Sequence, residues 1–154
     1  MSEQTLKATI QSDLHDAMRA RDKVRAGTLR MALTSITNEE VSGKQARELS
    51  DDEVLKVLAK EAKKRKEAAT AYREAGHPDR AENEEAELAI LEAYLPAQLS
   101  DEELGALAAQ AVSESGATSP QQMGLAMKAA QALVAGRADG GRVAAAVKAA
   151  LLGR

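Results

Sequence analysis

Two histidines, His15 and His77, carry the imidazole chemistry that suits proton transfer or metal binding near neutral pH. They lie far apart in the sequence, and neither has a companion residue at a catalytic or metal-ligand spacing. The chain has no cysteine, which excludes a thiol nucleophile, a disulfide and every cysteine-based zinc or iron–sulfur site. It also lacks HExxH, GxSxG and GxxxxGK[ST], the motifs of zinc proteases, serine hydrolases and phosphate-binding loops. The sequence therefore predicts no catalytic residue, no metal site and no other cofactor.

A positive charge lies on the apolar face of the longest predicted helix. Arg65 belongs to a stripe with spacings of four, three, four and three, which consists of Leu58, Ala62, Arg65, Ala69 and Tyr72. The same arithmetic places Glu40 and Glu84 on the apolar faces of two other predicted helices. Since an unpaired buried charge costs several kcal/mol, we predict an ion-pair cluster in which Arg65 contacts Glu84, Glu40 or both. The functional alternative is a polar site with perturbed pKa values at this helix junction.

The charges of the chain are unevenly distributed. The formal net charge is −3, yet the segment from Ser115 onward has Asp139 as its one carboxylate side chain against five cations. These cations are Lys128, Arg137, Arg142, Lys148 and Arg154. They indicate either a surface for an anionic partner or cations that are simply solvated at helix ends.

A glycine-rich, basic turn lies within this segment. Gly136-Arg137-Ala138-Asp139-Gly140-Gly141 links two predicted helices, and no strand precedes it as one precedes a phosphate-binding loop. One interpretation is a sharp turn between helices. The other is anion contact, in which backbone amides at the start of the last helix and the side chains of Arg137 and Arg142 hold a phosphate.

The elements that position these residues are predicted to be helices. Hydrophobic residues make up 44% of the chain and aromatic residues 1%, so we expect a core of Leu, Val, Ile, Met and Ala, which suits closely packed helices. The pattern predicts an all-α fold with an N-terminal domain of about four helices in residues 1–95 and a three-helix tail domain in residues 96–154. Pro96 marks the predicted boundary, because the composition changes there from Glu-rich to Ala- and Gly-rich.

Capping residues define several of the predicted helix ends. The first helix is expected from about Glu3 to Arg21. The long third helix is expected to begin at the capping box Ser50-Asp51-Asp52-Glu53 and to end near Gly76, because Pro78 cannot continue a helix. In the tail, Ser100-Asp101-Glu102-Glu103 and Ser119-Pro120-Gln121-Gln122 are further start signals.

Several motifs together resemble the GatB/YqeY family over nearly the whole chain. The N-terminal motif is Arg21-Asp22-Lys23-Val24-Arg25, followed by Leu29-Arg30-Met31 and Asn38-Glu39-Glu40-Val41. The later motifs are Lys63-Lys64-Arg65-Lys66-Glu67-Ala68, Tyr72-Arg73-Glu74-Ala75-Gly76, EEAELAILEAYLPAQL at residues 84–99, Thr118-Ser119-Pro120-Gln121-Gln122-Met123-Gly124 and Gly136-Arg137-Ala138-Asp139-Gly140.

This resemblance implies a stand-alone protein with an N-terminal helical domain and a three-helix tail domain. The tail domain is similar to that of the B subunit of the tRNA-dependent amidotransferase. In that enzyme it is a mobile appendage that engages tRNA, while glutamine hydrolysis and transamidation lie in domains absent here. By residue, the resemblance makes five tail positions the candidates for contact with an RNA backbone: Lys128, Gly136, Arg137, Gly140 and Arg142.

Three functions are open at the level of sequence. The leading hypothesis is a non-catalytic helical module that binds tRNA or a protein partner in translation or tRNA-dependent amidation. The second, which follows the family description, is an amidotransferase-like accessory to carbon–nitrogen ligation with glutamine as the amide donor. The third is a protein–protein adaptor that uses the exposed face of the long third helix or Met123 and Met127. The N-terminus lacks a signal-peptide pattern and no run approaches about 20 apolar residues, so we expect a cytoplasmic protein without a membrane partner.

Overall fold

A computed structural model describes residues 4–153, in which seven α-helices account for the fold. The helices are α1 Leu6–Arg19, α2 Lys23–Glu40, α3 Asp51–Glu74, α4 Pro78–Glu92, α5 Asp101–Ser115, α6 Met123–Val134 and α7 Gly140–Leu152. A short 3-10 turn, Pro120–Gln122, precedes α6, and no strand occurs within the described residues. The predicted all-α fold is confirmed.

Contacts between residues divide the chain into two compact units, Met1–Leu95 and Pro96–Arg154. The N-terminal unit contains α1 to α4 and the tail unit contains α5 to α7. That each unit folds as an independent domain stays a prediction. None of the described helices is both long enough and apolar enough to cross a lipid bilayer.

The N-terminal unit is built on aliphatic side chains from all four of its helices. Fully buried at its centre are Ile10, Leu29, Ile36, Leu58 and Leu91. Burying one such side chain stabilises a fold by about 1.5–3 kcal/mol. The 24-residue helix α3 begins at the predicted capping box, in which the Ser50 hydroxyl accepts from the Glu53 N–H and the Glu53 carboxylate accepts from the Ser50 N–H. Two orphan amide groups are thereby satisfied at the start of the longest helix.

Helix α1 is shorter than the sequence pattern predicts. It begins at Leu6 after the cap Thr5, whose hydroxyl oxygen accepts from the Ala8 N–H at 3.1 Å. The predicted start at Glu3 lies outside the described residues. At the other end, α1 stops at Arg19, because Arg21 has a left-handed backbone with φ 58° that an α-helix does not accommodate.

The tail unit has a core of small and branched aliphatic side chains. Its buried residues include Leu104, Ala108, Val112, Ala126, Ala130, Val134, Val143, Val147 and Leu151. Alanine at these positions lets the helix backbones approach closely. The predicted capping box at the start of α5 is present, since the Ser100 hydroxyl accepts from the Glu103 N–H and the Glu103 carboxylate accepts from the Ser100 N–H.

The start of α6 differs from the prediction. Ser119 makes no side-chain cap bond, and the chain passes through the 3-10 turn before α6 begins at Met123. The Gln122 side chain turns back and accepts the Thr118 N–H at 2.7 Å and the Thr118 hydroxyl at 3.1 Å. The first turn is therefore stabilised by Gln122 rather than by the predicted serine cap.

Candidate nucleic-acid interface

The α6–α7 turn, residues 135–139, contains the first four residues of the glycine-rich basic segment, and the last two, Gly140 and Gly141, begin α7. Its first two residues are left-handed, with φ 49° at Ala135 and φ 79° at Gly136. Glycine suits the second position, because an L residue with a Cβ loses about 1–2 kcal/mol in this conformation. At the other end, the Asp139 carboxylate accepts from the Arg142 N–H at 3.0 Å and caps α7. The segment is thus an ordered connection between two helices.

Arg137 is held in this turn by the end of α6. Its side chain donates to the carbonyl oxygens of Val134 at 3.0 Å and Leu133 at 2.9 Å, and its own carbonyl accepts from the Leu99 N–H at 2.8 Å. Cations favour the carboxyl ends of helices, where carbonyl groups are left without helical partners. These acceptors are neutral, so the guanidinium keeps its charge while its orientation is fixed.

Arg142 is held by the start of α5. Its side chain donates to the Leu99 carbonyl at 2.9 Å and to the Asp101 carboxylate at 2.8 Å. The Arg142 side chain is 34% exposed and that of Asp101 is 98% exposed. The pair lies beside a groove of about 560 Å³ between α5 and α7 that is lined mainly by alanine. Unlike Arg137, Arg142 is partly neutralised by its partner.

The other two predicted contact residues of the tail make no such bonds. Lys128 is exposed on α6, and Gly140 is the exposed first residue of α7 with open space where a Cβ would lie. The structure therefore brings Gly136, Arg137, Gly140 and Arg142 together around one turn, whereas Lys128 projects from the body of α6. The RNA contact of all five residues stays a prediction.

The pKa of Glu103, at the start of α5, is lowered by its neighbours. Hydrogen bonds from the backbone N–H and hydroxyl of Ser100 hold the pKa of its carboxyl below the usual value, and the charge of Arg137 adds a smaller contribution. Helix caps of this kind stabilise the ionised carboxylate. The start of α5 is thus a negatively charged neighbour of the basic turn.

The ion-pair cluster around Arg65 has different partners from those predicted. Arg65 Nη1 lies 2.8 Å from Glu61 Oε2, and Arg65 Nε lies 3.4 Å from Glu87 Oε2 without hydrogen-bond geometry. The Ser35 hydroxyl donates to Glu61 Oε1 at 3.0 Å, and Lys64 Nζ is 3.4 Å from that Oε1 atom. Arg65 is half-buried and paired, but the prediction of Glu40 or Glu84 as its partner is wrong.

Arg65 pairs with Glu61 because the two residues lie one helical turn apart on α3. Glu61 precedes Arg65 by four residues on α3, a spacing that places two side chains next to each other. Glu40 instead pairs with Lys7 of α1 at 2.9 Å, and Glu84 is half-buried on α4 outside the Arg65 cluster. The cluster is consistent with structural pairing within α3 and between α3 and its neighbours α2 and α4.

A second polar contact, which the sequence analysis did not predict, joins α1 to the end of α4. The Tyr94 hydroxyl donates to Asp13 Oδ2 at 2.5 Å. Burial raises the pKa of Tyr94 to about 12, and the Asp13 hydrogen bond and charge contribute, while Arg25 acts in the opposite direction. These three residues border a groove of about 450 Å³. The raised pKa keeps the Tyr94 hydroxyl protonated at neutral pH, which favours a structural role for its hydrogen bond to Asp13.

A third feature, also missed, is a basic groove where α1 meets α2. We define the α1–α2 corner as the residues that line this groove of about 390 Å³, namely Ala17, Met18, Arg21, Asp22, Lys23, Ala26 and Arg30. Three of its members are cations from one short stretch of sequence. The available signal was the run Arg21-Asp22-Lys23-Val24-Arg25, which the sequence analysis used only as a family motif.

The two histidines stand apart from these sites. His15 is exposed on α1, and His77 is exposed in the turn that precedes α4. Across residues 4–153 no three His, Cys, Asp or Glu side chains are grouped so that they could hold a metal ion.

The methionines considered as an adaptor surface pack inward. Met123 and Met127 are half-buried against the tail core. Leu125 on α6 and Leu152 on α7 are instead the large apolar side chains exposed in the tail unit, at 56% and 63%. The two methionines therefore offer little exposed surface for an adaptor role.

Comparison with known proteins finds similarity to a protein family and to an individual protein. The family of YqeY-like proteins matches residues 7–151 of the chain. An uncharacterized protein of Schizosaccharomyces pombe is 38% identical over 97 residues, which cover 62% of this chain and 76% of that protein.

Proposed function

The chain belongs to the family of YqeY-like proteins, and from this premise we propose that it is a non-catalytic helical module that binds the sugar-phosphate backbone of tRNA. One observation carries the proposal. In the part of the tail unit that the structure describes, Lys128, Arg137 and Lys148 all lie after Ser115 and none forms an ion pair with a carboxylate. Phosphate contacts by such cations supply most of the affinity of non-specific nucleic-acid binding.

Arg137 supports the proposal through its fixed geometry. Two neutral carbonyl acceptors at 2.9 and 3.0 Å orient the guanidinium without cancelling its charge. A cation that is already ordered loses less conformational entropy when it meets a phosphate. Lys128 and Lys148 add exposed charges on α6 and α7.

The test is the affinity of the purified full chain for bulk tRNA, measured by fluorescence anisotropy over a range of salt concentrations. We expect Lys128→Glu/Lys148→Glu to raise Kd about tenfold and to reduce the slope of log Kd against log salt by about two, because two phosphate contacts are lost. Lys44→Glu/Lys60→Glu is the matched control, since it makes the same charge change at exposed positions of the N-terminal unit.

Arg137 and Arg142 are unsuitable for this test because their side chains hold the turn and the start of α5. Circular dichroism melting checks folding, and we expect the lysine variants to melt close to the wild-type temperature. An unchanged tRNA affinity in the tail variant, or no tRNA retention by the wild-type chain at low salt, would contradict the proposal.

Two alternatives from the sequence give different outcomes. A protein adaptor would capture the same protein partner from a lysate with and without nuclease treatment, whereas a tRNA-binding module loses its co-purifying partners after nuclease. An amidotransferase-like activity would release ammonia from glutamine in the purified chain, and we expect no release above the buffer control.

A further inference from the structure

The α1–α2 corner concentrates positive charge that the fold does not use. Arg21, Lys23 and Arg30 line its groove of about 390 Å³. Within residues 4–153 none of the three forms an ion pair with a carboxylate. Like charges repel one another, so their clustering is not favoured by folding itself.

The carboxylates nearby in sequence are engaged with other groups. Asp22, which also lines the groove, accepts from the Arg25 N–H at 3.1 Å and caps α2. Asp16 lies 3.9 Å from Arg19, and Asp13 accepts the Tyr94 hydroxyl. The corner therefore presents its positive charge to solvent or to a ligand.

The groove also has an apolar part. Ala17 and Ala26 are buried at its base, and Met18 is 53% exposed at its edge. A small inorganic anion would use the cations alone. A ribose-phosphate chain would use both parts, because its phosphates face the cations while its ribose or base can rest on Met18.

The spacing of the cations fits a repeating anion. Lys23 and Arg30 are seven residues apart on α2, which corresponds to about 10 Å along a helix axis. Over that length one strand of a nucleic-acid helix presents about three phosphates, at 3.4 Å each.

We infer that the α1–α2 corner is a second RNA-contact site, which binds the phosphodiester backbone through Arg21, Lys23 and Arg30. The inference rests on the proposed function for the identity of the ligand, but the site lies in the N-terminal unit and is independent of the tail cations.

The experiment compares three double variants of the full chain against bulk tRNA and a 12-nucleotide oligouridylate. Lys23→Glu/Arg30→Glu alters the corner, Lys128→Glu/Lys148→Glu alters the tail, and Lys44→Glu/Lys60→Glu is the control. Arg21 and Arg25 are left unchanged, because the first has a left-handed backbone and the second lies near Tyr94. We expect the corner variant to raise Kd for both RNAs about tenfold, with a salt slope lower by about 1.5–2, and the control to stay within twofold of wild type.

The outcomes separate the two proposals. If the wild-type chain binds RNA and the corner variant matches the control, the corner inference is overturned and the tail proposal stands. If the wild-type chain binds no RNA, the proposed function fails, and the corner is judged by amide chemical shifts during titration with inorganic tripolyphosphate. If only residues 18–30 show shifts, the corner still binds anions. If these residues show no shifts, the proposed anion site is overturned. In the same titration, shifts at residues 18–30 with polyglutamate but not with tripolyphosphate would assign the corner to an acidic peptide and overturn the RNA inference.

Discussion

The α1–α2 corner and the α6–α7 turn are both arginine-containing connections between helices, yet they use their cations differently. In the α6–α7 turn, Arg137 donates to the carbonyls of α6, and just beyond the turn Arg142 of α7 donates to the start of α5. At the corner, Arg21, Lys23 and Arg30 line a groove without a carboxylate partner in the described chain. A high density of cations therefore does not by itself identify a binding surface, because cations such as Arg137 and Arg142 also stabilise the fold.

Arg65 is the strongest case of a cation held by its neighbours, and its removal should have the largest effect. Glu61 is 8% exposed, so Arg65→Met leaves a buried carboxylate short of its main partner and should lower the free energy of unfolding by about 3 kcal/mol. Urea denaturation followed by circular dichroism measures this loss. In Glu61→Gln/Arg65→Met the charge is removed together with its partner, and most of the stability should return; equal losses in both variants would show that packing rather than charge is responsible.

Arg137 and Arg30 test the comparison directly. Arg137→Ala removes two charge-assisted hydrogen bonds to the end of α6 and should destabilise the tail unit by about 2 kcal/mol. Arg30→Ala removes an exposed cation and should change stability by less than about 0.5 kcal/mol. Hydrogen exchange of core amides in each unit measures both values. Similar losses of stability in the two variants would contradict the conclusion that Arg137 stabilises the fold and Arg30 does not.

Tyr94 makes a hydrogen bond to Asp13 of α1 whose role is structural. Tyr94→Phe removes the hydrogen bond to Asp13 and should cost about 1 kcal/mol. Because the pKa of Tyr94 is raised to about 12 in the folded chain from 10.0, its stabilising contribution is complete below pH 10 and is lost as the pH rises toward 12. Parallel urea titrations at pH 8 and pH 11 should bring wild type and variant closer together at the higher pH. A constant difference would contradict the assigned pKa.

The backbones of the two connections differ as well. Gly136→Ala should destabilise by about 1 kcal/mol, because φ is 79° and the strain comes from the backbone alone, with open space where the Cβ would lie. Arg21→Gly should instead stabilise by about 0.5 kcal/mol, since glycine relieves the left-handed conformation but gains entropy in the unfolded chain. Thermal melting of the two variants should give shifts of opposite sign, and shifts of the same sign would contradict the assigned conformations.

Features that depend on neighbouring residues were accessible from the sequence. The capping boxes at Ser50 and Ser100 form as predicted, because each needs only residues within one helical turn. The apolar stripe on α3 correctly indicated that Arg65 is drawn inward and paired. Of its two carboxylate partners, Glu61 was missed because it lies on the same helix, whereas the prediction considered carboxylates on other helices. The second, Glu87, lies on α4 three residues after the predicted Glu84.

Features that depend on tertiary placement were not accessible. Tyr94 and Asp13 are 81 residues apart in sequence, so no local pattern relates them. The roles of Arg137 and Arg142 depend on where α6 ends and α5 begins, and the basic turn alone fits either a structural or an RNA-binding role. Arg21 and Lys23 share a short motif and Arg30 follows it in the sequence, but only the packing of α1 against α2 forms the groove that these cations line.

We propose that the tail cations and the cations of the α1–α2 corner bind an RNA backbone, so the affinity of the wild-type chain for tRNA should depend strongly on salt concentration, and measuring that dependence is the decisive experiment. Each phosphate contact releases condensed counterions and contributes about 0.7–0.9 to the slope of log Kd against log salt. With contacts at both the corner and the tail, log Kd should rise linearly with log salt with a slope of at least about 3. A tRNA affinity that is independent of salt, or no measurable binding at low salt, would contradict it.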